Sequence, residues 1–385
     1  MLLLDAMDGE KISRSPSVPK IYIDLAANLL KRDILEVLYD PELASRTVVE
    51  AAVKCNCDGA RIFFFPGRDI RKERDKYYQY KNGKRFGKVD MQGGLTTICD
   101  DPSDIDYSDP ETMICHNFFN SEKPIINDIN GLKRFHIPSK NDYIKFFGSH
   151  IDSAIKTAGN SCCPMGFIGN GTLHFCIYML GMENALVSLH SNPFLIHALM
   201  DIISEIIIVQ AQFLIDKGIR ILRLGDSAAN MTVISPSMWR NFIKPQFTKI
   251  CKAVHEYSRT AKIYCHICGD VRPVINDLIE SGIDCIAPLD PMGNVTVAEA
   301  RKLAGNSYML MGGVNTLSFI NKTPEEITAE AEKCIRDGFT GNGHFAVGSG
   351  CVVPRNAKID ALKALSVASF NTGREQGDTK CTAIP

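Results

Sequence analysis

At 385 residues, 45% hydrophobic and 23% charged, with a formal net charge of −1, the chain has ordinary globular composition and enough length to bury a large core. That charge balance gives no reason to expect nucleic acid or an anionic membrane as a partner. Fourteen cysteines, several inside apolar runs (Cys162, Cys163, Cys176, Cys285), suggest free thiols in a reducing compartment rather than a disulfide framework. In chain order, the opening MLLLDAMDGEK is too short and too acidic for a signal peptide, and residues 1–18 read as a tail or a short helix. From Lys20 onward, short apolar or β-branched runs alternate with longer helical patterns, the rhythm of βα units and a parallel sheet. The first two strand candidates are KIYIDL (20–25) and ARIFFFP (60–66), separated by the helical stretch 41–55.

An excursion over 67–130 then interrupts the rhythm. It carries a Lys-Asn-Gly-Lys turn (81–84) between strand-like runs, a strong hairpin signal, so a β-hairpin insertion is expected to overhang the mouth of the fold after the second strand. Six more strand candidates follow at 161–169, 219–227, 262–268, 285–289, 307–314 and 344–350, with helical segments at 193–218, 271–282 and 324–338 between them. The apolar stretch around 185–215 is broken by His190, Asn192, Pro193, Asp201 and Glu205, which argues against a membrane span and for a cytoplasmic protein. Eight strands, each followed by a helix, predict a (β/α)8 TIM-type barrel over 19–372, and 373–385 reads as a C-terminal tail.

The sharpest chemical feature is Cys265-His266-Ile267-Cys268-Gly269, at the end of the fifth strand candidate. Residues two apart on a strand share a face, so His266 and Cys268 point the same way, at the end of the barrel where active sites lie. Imidazole with thiolate suits zinc; the alternative is a pair of satisfied core residues. Cys351 follows Gly-Ser-Gly at the end of the eighth strand candidate, and closing a barrel brings those two strand ends to one cavity. Three ligands with one open position is the catalytic zinc arrangement. Asp290, after the sixth strand, reads as a fourth ligand, a group supporting the ligands, or a loop carboxylate before Pro291.

Other polar groups are candidates for the cavity. Asp226 ends the fourth strand and either faces the substrate or caps the next turn. Asn315, after Met311-Gly-Gly, is a second candidate catalytic group. His174 and His344 lie near strand ends as candidate substrate contacts, although a lone histidine is more often structural. Tyr77, Tyr78, Tyr80 and Phe86 of the insertion, with Phe63 to Phe65 and Phe167, offer an apolar wall for a substrate, or else simply core and cross-strand packing. GFIGNG (166–171) lacks the spacing of a nucleotide-binding loop.

HICGD (266–270), LMGGVNT (310–316) and GSGCVVP (348–354), with VPKIYIDLAANLL (18–30), YDPEL (39–43) and GDSAANMTVISPSMW (225–239), resemble the uroporphyrinogen decarboxylase superfamily. Within it the chain looks most like the zinc-dependent, corrinoid-linked methyltransferases. That resemblance covers most of the chain and implies His266, Cys268 and Cys351 as zinc ligands. It also implies a corrinoid carried by a partner protein and a small methylated substrate, and it leaves room for a homodimer. One departure is informative. The decarboxylases proper carry an arginine-rich segment after the first strand, whereas DLAANLL (24–30) has no arginine until Arg32. The resemblance therefore favours methyl transfer over decarboxylation. The expected donor is a methoxylated aromatic, demethylated onto cobalt; transfer from methyl-corrinoid to a thiol, and a lyase of decarboxylase type, are the alternatives.

Overall fold

Runs such as Cys285–Leu289 and Met309–Val314 are apolar on both alternating faces, as a parallel strand covered on both sides requires. In a computed structural model, which describes residues 1–375, both are fully buried strands. In chain order the strands are β1 (Gly59–Ile62), β2 (Asp69–Glu73), β3 (Lys76–Lys81), β4 (Lys84–Val89), β5 (Thr97–Cys99) and β6 (Phe119–Ser121). They continue with β7 (Cys163–Phe167), β8 (Ile221–Gly225), β9 (Lys262–His266), β10 (Cys285–Leu289), β11 (Met309–Val314) and β12 (Phe345–Ser349). Seven of them form one parallel sheet in the order β1-β7-β8-β9-β10-β11-β12. Helices intervene, and local chemistry starts them. Asp40 accepts from the Glu42 and Leu43 N–H groups ahead of Pro41–Lys54, and Thr296 with Glu299, like Thr323 with Glu326, makes a reciprocal capping box. The apolar helix Pro193–Asp216 is long enough to cross a membrane, but it packs against the helices Lys140–Ala158, Thr172–Leu180 and Lys244–Tyr257.

The expected first strand at 20–25 is corrected. Only Ser17 and Lys20 make isolated parallel bridges, to Val347 and Val352, and a helix begins at Ile23. Pro16 and Pro19 have no N–H to give to a ladder, which keeps the segment from becoming a regular strand. It still does a strand's work. Val18 N–H donates to Val347 O at 2.8 Å on one side, and Asp58 N–H donates to Ser17 O at 2.8 Å on the other. Ser17–Lys20 therefore sits between β12 and β1 and closes the curled sheet into the α/β barrel.

A second buried cluster fills the barrel interior. Met165, Ile221, Tyr264, Cys285, Met309 and Ala346 meet Leu3, Ala6 and Met7 of the helix Leu2–Met7, which plugs the floor. Leu3 is fully buried. Leu3→Ala is expected to lower the free energy of unfolding by about 2–5 kcal/mol, read from a shifted urea midpoint; an unchanged midpoint would show that the plug helix adds nothing.

The insertion is larger than the expected hairpin. The β3–β4 hairpin is present, with Asn82 at φ +51° and Gly83 at φ +75° forming its turn. It is the centre of a five-stranded sheet in the order β2-β3-β4-β5-β6. Strand β2 reads Asp-Ile-Arg-Lys-Glu and is mostly exposed, so its sequence has little strand character of its own. The C-terminal reading changes as well. Residues 373–375 complete the helix Ile359–Glu375, and 376–385 lie outside the described residues.

Candidate metal centre

Strand alternation decides which side chains reach the mouth. Met165, Ile221 and Tyr264 face the barrel interior, so Phe167, Arg223 and His266, two residues further on, face the cavity above them. Cys268 follows at the same spacing. Cys351 comes from the turn after β12, where Gly350 N–H donates to Val314 O at 2.7 Å. A β-carbon on Gly350 would lie 2.8 Å from Pro291 Cδ, so a side chain there would push this turn off the loop after β10.

The structure brings His266, Cys268 and Cys351 together, with their ligand atoms all within 4.8 Å of one another. Cys268 Sγ lies 3.2 Å from His266 Nε2 and 2.9 Å from Cys351 Sγ. Lys20 Nζ lies 2.9 Å from the same His266 nitrogen. With Lys20 protonated, its ammonium has only donors, and Nε2 is then the accepting, unprotonated nitrogen. Burial, then the Lys20 charge, holds His266 well below its ordinary pKa and so keeps it neutral. The hydrogen bond from Cys268, then the Lys20 ammonium, pulls the Cys351 thiol down to about 6, while the same bond and burial push Cys268 up. Burial and then Arg223 lower Lys20 itself to about 7. A neutral imidazole and two sulfurs at this separation, once both are deprotonated, form a soft donor set for a dication such as zinc, and the residues fit that ion.

The other expected site residues divide. Phe167 lines a cavity of about 490 Å³ beside the donor set, with Phe63, Tyr22 and Tyr178 as further walls. Asp226 is fully buried and accepts from Leu173 N–H at 2.7 Å, His174 N–H at 3.2 Å and the Thr172 hydroxyl at 3.2 Å. It anchors the start of the helix Thr172–Leu180, and burial raises its pKa to about 7 despite those bonds. Asp226→Asn is expected to leave the donor set intact but cost about 1–3 kcal/mol of stability, because an amide oxygen cannot replace two carboxylate acceptors; a loss of bound metal at full stability would contradict that reading. His174 sits behind it, 3.9 Å from Asp226 Oδ1, and burial lowers its pKa to about 4.

Asp290 stands outside the group of three. Its oxygens accept from Met292 N–H at 3.0 Å and Gly269 N–H at 3.3 Å, which ties the loops after β9 and β10 together. Three expectations are corrected. Asn315 accepts from Leu317 N–H in the turn before the helix Ser318–Asn321 and does not line the cavity. Tyr78 lies in the insertion sheet, under the Arg85 guanidinium. His344 precedes β12, so it lies at the floor end of the barrel, near Gly9. The sequence reading missed Lys20, Tyr22, Asn170, Tyr178 and Arg223, all of which line the cavity. A usable signal existed for Arg223, the single charge within the buried run Ile221-Leu-Arg-Leu-Gly225.

These features define an α/β barrel with a His/Cys/Cys donor set at its carboxyl-terminal mouth, roofed by an inserted sheet. The chain belongs to the uroporphyrinogen decarboxylase (URO-D) family, whose model matches residues 119–369. It is similar to a methylated-thiol–coenzyme M methyltransferase of Methanosarcina mazei, at 26% identity over 49% of this chain and 47% of that protein. It is also similar to the methylcobamide:CoM methyltransferase MtaA of Methanosarcina barkeri, at 24% identity over 44% and 47%. The chain thus spans about half the length of these curated relatives. A solved methyltransferase from Methanosarcina mazei shares the fold, with a TM-score of 0.68 over 96% of this chain and 97% of that one at 16% identity.

Proposed function

We propose that this protein is a zinc-dependent methyltransferase that moves a methyl group from a small methylated donor, a methoxylated aromatic, to the cobalt of a corrinoid held by a separate carrier protein. The observation that carries the reading is the convergence of His266, Cys268 and Cys351 beside an aromatic-walled cavity. The two Methanosarcina relatives, both methyltransferases, support methyl transfer.

His266, Cys268 and Cys351 would hold the ion. Bound there, zinc supplies Lewis acidity to the oxygen that gives up its methyl group. The chain's own residues do the rest. Phe63 and Phe167, 5.5 Å apart, offer faces for an aromatic ring. The loop between β4 and β5 is held at the rim of the cavity: Arg355 donates to Met91 O at 2.6 Å and Gln92 O at 2.7 Å. In the net change the O–CH3 bond breaks and a C–Co bond forms with the electron pair of cobalt(I). The phenolate that leaves takes up one proton.

The test is a mixture of the zinc-loaded protein, a cobalt(I) corrinoid carrier and a methoxyarene, followed by the corrinoid absorption spectrum. Conversion to the methyl-cobalt spectrum is expected. No change with any methoxyarene, together with loss of methyl-cobalt on adding a thiol, would overturn the donor assignment. It would establish instead the second reading, methyl transfer from corrinoid to thiol, which the relatives' coenzyme M names favour.

A further inference from the structure

Among the described residues thirteen cysteines carry free thiols, and eleven of these are buried; Cys268 and Cys351 are the two that are not. The same two are neighbours: their sulfurs lie 2.9 Å apart, although 83 residues separate them in the chain. A disulfide bond is about 2.05 Å long, so joining them asks each sulfur to move by only about half an ångström. Both can move. β9 ends at His266 and β12 at Ser349, so each cysteine sits on a turn beyond its strand. Each also adjoins a glycine: Gly269, at φ +96°, follows Cys268, and Gly350 precedes Cys351.

The pair is within reach of a small solute. Lys20, which contacts His266, and Val352, which follows Cys351, both line the cavity of about 490 Å³. The eleven buried cysteines sit instead among the apolar side chains of the two core clusters. A dication is held by thiolates, and a sulfur engaged in a disulfide has no such charge to give. A bond between these two sulfurs and a metal ion at the same place therefore exclude each other.

We propose that Cys268 and Cys351 form a reversible disulfide, made by exchange with a small-molecule disulfide such as oxidised glutathione, and that this link switches the metal centre off. In the first step one of the two sulfurs, as a thiolate, attacks a sulfur of the small disulfide; a protein–S–S–R bond forms and RS⁻ leaves. The other cysteine, 2.9 Å away, then gives up its proton and attacks the first: the Cys268–Cys351 bond forms and the second RS⁻ leaves. Two electrons pass from the protein thiols to the small disulfide, and two protons pass to the two thiols released. An added dithiol reverses both steps. The inference rests on the metal assignment only for what the link excludes. On the methyl-transfer reading, the link empties the centre under the oxidising conditions that also consume cobalt(I).

The test takes zinc-free and zinc-loaded protein, incubates each with oxidised glutathione, alkylates the remaining thiols and weighs the peptides. A linked Cys268–Cys351 peptide is expected in the zinc-free sample, with zinc uptake reduced to below about one tenth and restored by dithiothreitol. The zinc-loaded sample is expected to link more slowly, because the ion occupies both sulfurs. In Cys268→Ser and in Cys351→Ser the second sulfur is missing, so glutathione is expected to stay on the remaining cysteine of the pair. No linked peptide, linkage at the same rate with zinc bound, or full zinc uptake by the linked protein would each overturn the proposal. The wild-type comparison stands even if neither variant folds. A reduced protein that takes up no zinc would overturn the metal assignment and this proposal together. Every readout is a thiol or metal content, so the outcome is independent of methyl transfer: a protein that links and unlinks as expected but never methylates cobalt would sink only the catalytic reading.

Discussion

Replacing Cys351 with alanine is expected to cut bound zinc from about one ion per chain to below about one tenth, and to abolish methyl transfer with it. In the proposed site three protein ligands would share the ion, and a structural zinc site is worth about 10–16 kcal/mol. Losing one thiolate removes a large share of that, about a hundredfold or more in affinity. The fold itself should survive. Cys351 lies on a turn and is partly exposed, and the backbone bonds that hold the turn, Gly350 N–H to Val314 O and Val353 N–H to Lys20 O, do not use its side chain. Elemental analysis beside circular dichroism checks both halves: a folded variant that keeps a full complement of zinc would remove Cys351 from the ligand set. Asp290→Asn is the matched control. Its carboxylate is spent on the Met292 and Gly269 N–H groups, so zinc content near the wild-type value is expected.

The second large effect lies away from the donor set. Arg68 is 1% exposed, beneath the inserted sheet. It donates to Gln79 Oε1 at 3.0 Å, Leu95 O at 2.6 Å and the Thr97 hydroxyl at 2.6 Å, and so binds β3, β5 and the loop between β4 and β5 into one unit. Its charge lies near the Phe118 ring, 5.6 Å from the centroid. Arg68→Met fills much of the space but leaves Leu95 O without its donor. A cost of about 3–5 kcal/mol is expected, concentrated in the insertion. Hydrogen exchange should accelerate over residues 69–99 while β8 and β9 keep their protection. Exchange that rises uniformly across the chain would show that Arg68 supports the barrel as a whole rather than its roof.

Much of this was legible in the residues. Seven of the eight expected barrel strands are present within a few residues of their expected bounds, because buried parallel strands announce themselves as short apolar runs. The donor set was legible because two residues two apart on β9 must share a face, and because Cys351 follows a strand that ends at the same mouth. The first strand was misread: KIYIDL has strand-like composition, but Pro16 and Pro19 deny it a ladder, and Ile23 to Leu29 has helical spacing. The insertion was underestimated because β2 is charged and exposed, and β5 and β6 have three residues each. Lys20 and Arg223 were passed over for a different reason. Their importance lies in burial and in absent counter-charges, and neither shows until the barrel closes around them. His344 precedes its strand, and in a barrel the direction of the strand, not nearness to its end, decides which end a residue faces.

The most direct test of the metal assignment is X-ray absorption at the zinc edge on the purified protein. Two sulfur neighbours at about 2.3 Å and one imidazole nitrogen at about 2.0–2.1 Å are expected, with a remaining light-atom position that changes when a methyl donor or a thiol is added. One sulfur should be lost in Cys351→Ser. A zinc-free protein active in methyl transfer, or a closed shell of four protein ligands indifferent to every added substrate, would contradict it.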